Sequence, residues 1–148
     1  MKKFRFRLQR VLEYRTRVKE EYLQELQRRN FILRELEEKC QLLEKEFTRN
    51  ALHPEVISHE ELQLKSAYAA RLEGEIANVK LAILDAEAKV DEALAQYRHA
   101  AQEEEALLKV RKRKKHEFDE HVLHEEMKFL DELSVQKGNT LHEKDDQR

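Results

Sequence analysis

Residues 47–62 read FTRNALHPEVISHEEL, and the fold turns on them. Pro54 disfavours helical backbone at His53 and removes one amide donor, so a helix arriving from the amino-terminal side should end near Asn50. Four residues past the proline, Ser58-His59-Glu60-Glu61 has the spacing of a capping box: the Ser58 hydroxyl can take the Glu61 amide while the Glu61 carboxylate reaches back. A second helix should therefore start at about residue 59. A stop followed at once by a start makes a hairpin, provided that both flanks are helical.

Both flanks carry heptads. Before the break, apolar residues recur at Phe4, Leu8, Val11, Val18 and Tyr22, with Arg15 in the gap, then at Leu26, Leu33, Leu36, Cys40, Leu43 and Phe47, with Arg29 the polar member. Alternating steps of three and four are a coiled-coil seam, and the consecutive fours Val18, Tyr22, Leu26 read as a stutter. After the break the seam runs Leu62, Lys65, Ala69, Leu72, Ile76, Val79, Ile83, Ala86, Val90, Ala93, Tyr97, Ala100, Glu104, Leu107, Arg111. The alanines permit close approach of the helix axes. Beyond Arg111, Phe118, Val122, Leu123, Met127, Phe129, Leu130 and Leu133 keep helical spacing until Gly138-Asn139, which reads as a stop.

The pattern predicts an all-α chain. Residues 1–137 form an antiparallel coiled-coil hairpin, with helix one at about 4–50, a loop at about 51–58 and helix two at about 59–136, followed by a disordered polar tail at 138–148. At 1.5 Å per residue helix one spans roughly 70 Å and helix two roughly 115 Å, so helix two overhangs. In this register Phe4 falls opposite about residue 105, leaving residues from about Arg111 to Gln136 without an intramolecular partner.

Composition agrees with long helices and excludes much else. The chain of 148 residues is 41% charged, with two glycines, one proline, one cysteine and no tryptophan, too few turn formers for a compact globular domain. Lys plus Arg (29) nearly balances Asp plus Glu (31), with both signs interspersed as on helices laced with i,i+4 pairs. Cys40 is alone, which reads as a reducing compartment, and no stretch suits a membrane span or a signal peptide, so a cytoplasmic location is expected. With Gly74 and Gly138 the only glycines, neither a Walker loop nor a GxGxxG turn can be written.

No chemistry-bearing constellation stands out. His116, His121 and His124 lie among Glu117, Glu120 and Glu125, but His116-Glu117 meets His121 one residue too late for HExxH, and a solvated helix face is the plainer reading. Ser58, Ser66, Ser134 and Cys40 occupy a cap, a helix face, a tail-proximal turn and a seam, and a two-helix hairpin offers no catalytic pocket. The chain is thus expected to be no enzyme and to hold no cofactor, metal or small-molecule substrate. Charge says more. Residues 1–20 carry eight basic side chains against two acidic ones, a net of +6, and Arg111-Lys112-Arg113-Lys114-Lys115 adds a second cluster that the hairpin brings to the same end. Such an end suits a partner with an acidic surface, a protein rather than nucleic acid, since no nucleic-acid-binding fold surrounds it and Glu103-Glu104-Glu105 precedes it. From Glu117 to Glu132 there are seven acids and one lysine, beside unpaired apolar residues.

The opening Phe4-Arg5-Phe6-Arg7-Leu8-Gln9-Arg10-Val11-Leu12 is similar to the F-x-F-x-L-x-x-[VL]-L start of the flagellar export protein FliJ family. Glu126-Met127-Lys128-Phe129-Leu130-Asp131-Glu132 resembles that family's E-x-K-x-x-D-E pattern, and Tyr68, Leu72 and Ile76 sit at its Y-x-x-x-L-x-x-x-I. The resemblance reaches to about Gln136. It implies a non-enzymatic component of the flagellar type III export apparatus, shaped like the central stalk of rotary ATPases. It also implies partners: the flagellar export ATPase ring, the large export-gate membrane protein and substrate-specific export chaperones. Its place would be the cytoplasm at the base of the flagellum, touching the membrane only through protein partners.

Charge, the unpaired apolar face and the resemblance together nominate Phe4, Arg5, Phe6, Arg7, Arg10, Arg111, Arg113, Lys114, Phe118, Glu126, Lys128, Asp131 and Glu132 as partner-binding residues. Two other readings use the same residues: a generic coiled-coil tether or scaffold dimerising through these seams, and an injectisome stalk homologue.

Overall fold

The computed structural model describes residues 2–51 and 58–145, the side chains of 139–145 excepted. It contains two helices, α1 (Gln9–Ala51) and α2 (His59–Asp145), packed against each other as a hairpin, with no strand among the described residues. Most of the loop expected at 51–58 lies outside the described residues. By contact the chain divides into two compact units, Met1–Tyr14 with Glu103–Arg148, and Arg15–Gln102.

The capping box forms as its spacing requires. The Ser58 amide donates to Glu61 Oε2 at 3.0 Å, the Glu61 amide donates to Ser58 Oγ at 3.3 Å, and the Leu62 amide donates to the Ser58 carbonyl at 3.0 Å, the first bond of α2. Glu60 and Glu61 add negative charge where the helix dipole is positive.

In the unit formed by Arg15–Gln102 the seam is narrow and rich in alanine. Cys40 of α1 and Leu72, Val79, Ala86, Ala93 and Ala100 of α2 are its buried members, flanked by half-buried Leu26, Leu33, Leu36, Leu43, Ile76, Ile83 and Val90. Three polar contacts fix the antiparallel register: Asn50 Nδ2 donates to the Lys65 carbonyl at 3.3 Å, the Tyr68 hydroxyl donates to Glu46 Oε1 at 3.4 Å, and Lys80 Nζ pairs with Glu44 Oε1 at 3.3 Å. Loss of water around the phenol, reinforced by the Glu46 charge, raises the Tyr68 pKa above its ordinary 10.0. Glu25 accepts from Arg28 Nη2 at 3.0 Å and from Arg29 Nε at 2.8 Å; the Arg28 bond first, with both guanidinium charges, holds its carboxyl below the ordinary 4.5.

The register differs from expectation by a measurable slip. With Phe4 opposite residue 105, Asn50 would face residue 59, whereas it bonds at Lys65. Leu62, the expected first seam residue of helix two, is consequently exposed, and α2 begins its contact about one and a half turns into the helix.

Both outer helix ends also move. Helix one starts at Gln9 rather than at residue 4: residues 2–6 have no regular secondary structure, Arg7 and Leu8 form a turn, and the Leu12 amide donating to the Leu8 carbonyl at 2.9 Å opens the helix. Leu8 offers no capping oxygen and the first turn of α1 holds no acid, while Lys2, Lys3, Arg5 and Arg7 set positive charge against the positive end of the dipole. The later start shifts the seam. Leu12 is buried, at 4% exposure, while Leu8 and Val11 are exposed. Counted from Leu12 the seam reads 12, 15, 19, 22, 26, 29, 33, 36, 40, 43, 47, 50, an unbroken alternation of threes and fours whose members are all buried or half-buried. With Lys19 as the seam member in place of Val18 the stutter disappears. At the other end α2 passes through Gly138 and Asn139 to Asp145, beyond the stop expected near 136, so residues 138–145 of the expected tail are helical. The stop needed a left-handed residue, yet Gly138 keeps φ negative, and the segment has no proline.

Candidate functional site

The unit joining Met1–Tyr14 to Glu103–Arg148 gathers every residue nominated for partner binding. Its amino-terminal part is a strap, residues 2–6, without regular secondary structure before the turn at Arg7 and Leu8. Side chains alternate along an extended chain, and the burial does too: Phe4 and Phe6 are half-buried, Lys3, Arg5 and Arg7 exposed. Phe4 packs against Phe118 of α2, ring centroids 5.7 Å apart and planes tilted by 54°, a geometry that sets ring edge against ring face. Phe4 was expected opposite residue 105. The slip near the turn accounts for part of the difference; the rest arises where the chain is not helical, at residues 2–8, since such chain can advance further than the about 1.5 Å per residue of a helix.

Two grooves border the strap. One, of about 690 Å³, is walled by Phe4, Phe6, Leu8, Val110 and Phe118, with Arg5, Arg7 and Lys114 at its edges. The other, of about 1230 Å³, begins at Lys2 and Lys114 and follows α2 past Phe118 and Val122 to Phe129 and Leu130. Basic and aromatic side chains of the chain start therefore stand beside the α2 basic cluster. Arg10, Arg111 and Arg113 are exposed; Arg113 and Lys114 share Glu117, at 4.0 and 3.0 Å. Glu126 lines the larger groove, and Lys128, Asp131 and Glu132 lie further along the exposed helix.

Helix two outlasts its cover. Val110, Phe118 and Val122 are half-buried, and every residue from Leu123 to Gly138 is exposed. The uncovered stretch thus starts near Leu123, not at Arg111. Sequence reasoning nominated Phe118 and Glu126 but missed Lys2, Leu123 and Leu130 as groove residues. For the chain start a signal is present: Phe4-Arg5-Phe6-Arg7-Leu8 alternates with period two, the mark of extended chain, as well as fitting helical spacing.

His116, His121 and His124 are exposed, His116 Nε2 at 3.2 Å from Glu120 and His121 Nδ1 at 3.7 Å from Glu125, and His121 also lines the larger groove. Among the described residues no three of His, Cys, Asp and Glu gather as metal ligands, and no helix is long and apolar enough to cross a membrane.

The model of the flagellar FliJ protein family matches residues 4–140, nearly the whole chain and all of the strap from Phe4. No curated protein and no solved structure matches it.

Proposed function

Because the chain belongs to the flagellar FliJ protein family, and so to the flagellar export apparatus, we propose that it acts there as a non-enzymatic, stalk-like coiled coil that engages the export ATPase ring with its basic end. The observation that carries this reading is the gathering, in one unit, of the basic chain start and the Arg111–Lys115 cluster, with Arg10, Arg111 and Arg113 exposed. A ring lumen of acidic character would attract such an end, and contacts of this kind steer association while adding little to folding. Contact with the export gate and handling of substrate chaperones belong to the same proposal, with the uncovered α2 residues through Glu126, Lys128, Asp131 and Glu132 as candidate surface. The seams that a dimeric tether would need are used within the hairpin, which favours the stalk, and the flagellar family match favours it over an injectisome homologue.

The test is a charge reversal, Arg10→Glu, Arg111→Glu and Arg113→Glu together, assayed by pull-down with the cognate flagellar export ATPase and by stimulation of its hydrolysis. Both should fall while helicity by circular dichroism is unchanged, and added salt should weaken the wild-type complex, since exposed charges are screened over about 8 Å at physiological ionic strength. Ring binding indifferent to the reversal would remove the basic-end mechanism.

A further inference from the structure

Apart from the ring-binding reading, among the described residues the strap meets the larger groove at one end, through Lys2. The strap lies where Phe118 is, with Phe4 on its ring and Lys2 at the groove mouth. Beyond it the same floor continues as Leu123, Phe129 and Leu130, all exposed. At 100° per residue, Phe118, Val122, Phe129 and Leu133 fall on one rank of α2 and Leu123, Met127 and Leu130 on the next. Between the two ranks stand Asp119 and Glu126, and the stretch Glu117–Glu132 carries seven acids against Lys128.

We propose that this uncovered continuation binds an extended segment of another protein in which aromatic or large apolar residues alternate with lysine or arginine. The strap itself is the template. Phe4 of its Lys-Phe-Arg-Phe-Arg pattern already packs on Phe118, and from there the rank Phe118, Val122, Phe129 and Leu133 continues uncovered past Val122, with Asp119 and Glu126 along one side and Glu125 and Glu132 along the other. On that rank Phe118–Val122 and Phe129–Leu133 are each one i,i+4 step of about 6 Å, close to the about 6.6 Å between alternate residues of an extended segment, so one inward pair of side chains fits each step. Outward lysines or arginines then reach Asp119, Glu125 and Glu126, a charge pairing that an acidic segment could not make.

The experiment uses the full chain and a fluorescein-labelled peptide with the sequence of residues 2–8, followed by anisotropy. Saturable binding at one peptide per chain is expected. It should weaken about tenfold or more in Phe129→Ala/Leu130→Ala, each a loss of a buried apolar contact, and by a similar factor when the peptide's phenylalanines become alanine or its basic residues glutamate. Phe129 and Leu130 are 61% and 62% exposed, so the variant should melt with the parent. Binding unchanged in that variant, or unchanged by removing the peptide's aromatics, overturns the proposal. Sedimentation equilibrium supplies the remaining outcome: a dimer that the double variant abolishes makes a second copy the occupant and overturns it equally. The charge reversals that test ring binding leave Phe129 and Leu130 intact, so the two readings fail separately.

Discussion

Leu72→Ala, paired with Leu84→Ala, measures how much of the stability resides in the seam. The two leucines lie twelve residues apart on α2, with Leu72 at 3% exposure and Leu84 at 63%. The chemical change is identical, and helix propensity is nearly so. At Leu72 the substitution withdraws three carbons from a site shut off from water, about 0.8 kcal/mol each, or about 2.4 kcal/mol, before any cavity term. The cavity term should be small, because a two-helix seam is one side chain thick and either solvent or a slight closing of the helices can fill the gap. At Leu84 most of the side chain is already wet, and a change within about 0.5 kcal/mol is expected. Urea unfolding followed at 222 nm reads the difference: with a slope of about 1–3 kcal/mol per molar, the Leu72 variant should lose about 1–2 M of midpoint and the Leu84 variant almost none. Hydrogen exchange on the same pair shows whether the loss is confined to the unit containing Leu72. Equal midpoints for the two variants would refute the placement of the seam.

Three further outcomes follow from local geometry. Ser58→Ala deletes one arm of the capping box and should cost about 1 kcal/mol, read as earlier exchange of the Glu61 amide, which Ser58 Oγ accepts at 3.3 Å. Gly74→Ala should stabilise by about 0.5–1 kcal/mol in thermal melts, because an added Cβ meets nothing within 4 Å and the glycine keeps ordinary helical φ. Glu25 should titrate below 4.5 by carbon-detected NMR and move up in Arg28→Ala; since its folded pKa is the depressed one, its contribution is present above 4.5 and is lost as pH falls through the folded value.

The amino-acid order by itself determined the elements that depend on near neighbours. Ser58 and Glu61 are three residues apart, and their mutual bonds need nothing from the rest of the chain. The α2 seam from Lys65 to Leu107 is legible for a similar reason, since helical periodicity assigns a face whatever lies opposite it. So was the family, because the strap motif and the acidic motif of α2 both fall within the matched residues. Tertiary structure decided the pairing of one helix with the other. Heptads repeat, so sliding by a turn or two conserves the pattern, and only particular contacts such as Asn50 with the Lys65 carbonyl choose among registers. The same holds at the chain start. Phe4 and Leu8 satisfy helical spacing, and Phe4, Phe6 and Leu8 satisfy extended spacing. The ring of Phe118, more than a hundred residues away in sequence, gives the non-helical form a contact for Phe4, while an uncapped, positively charged helix start disfavours the helical one. With Phe4 on Phe118, α2 is half-buried as far as Val122, and its residues from Leu123 to Gly138 are exposed.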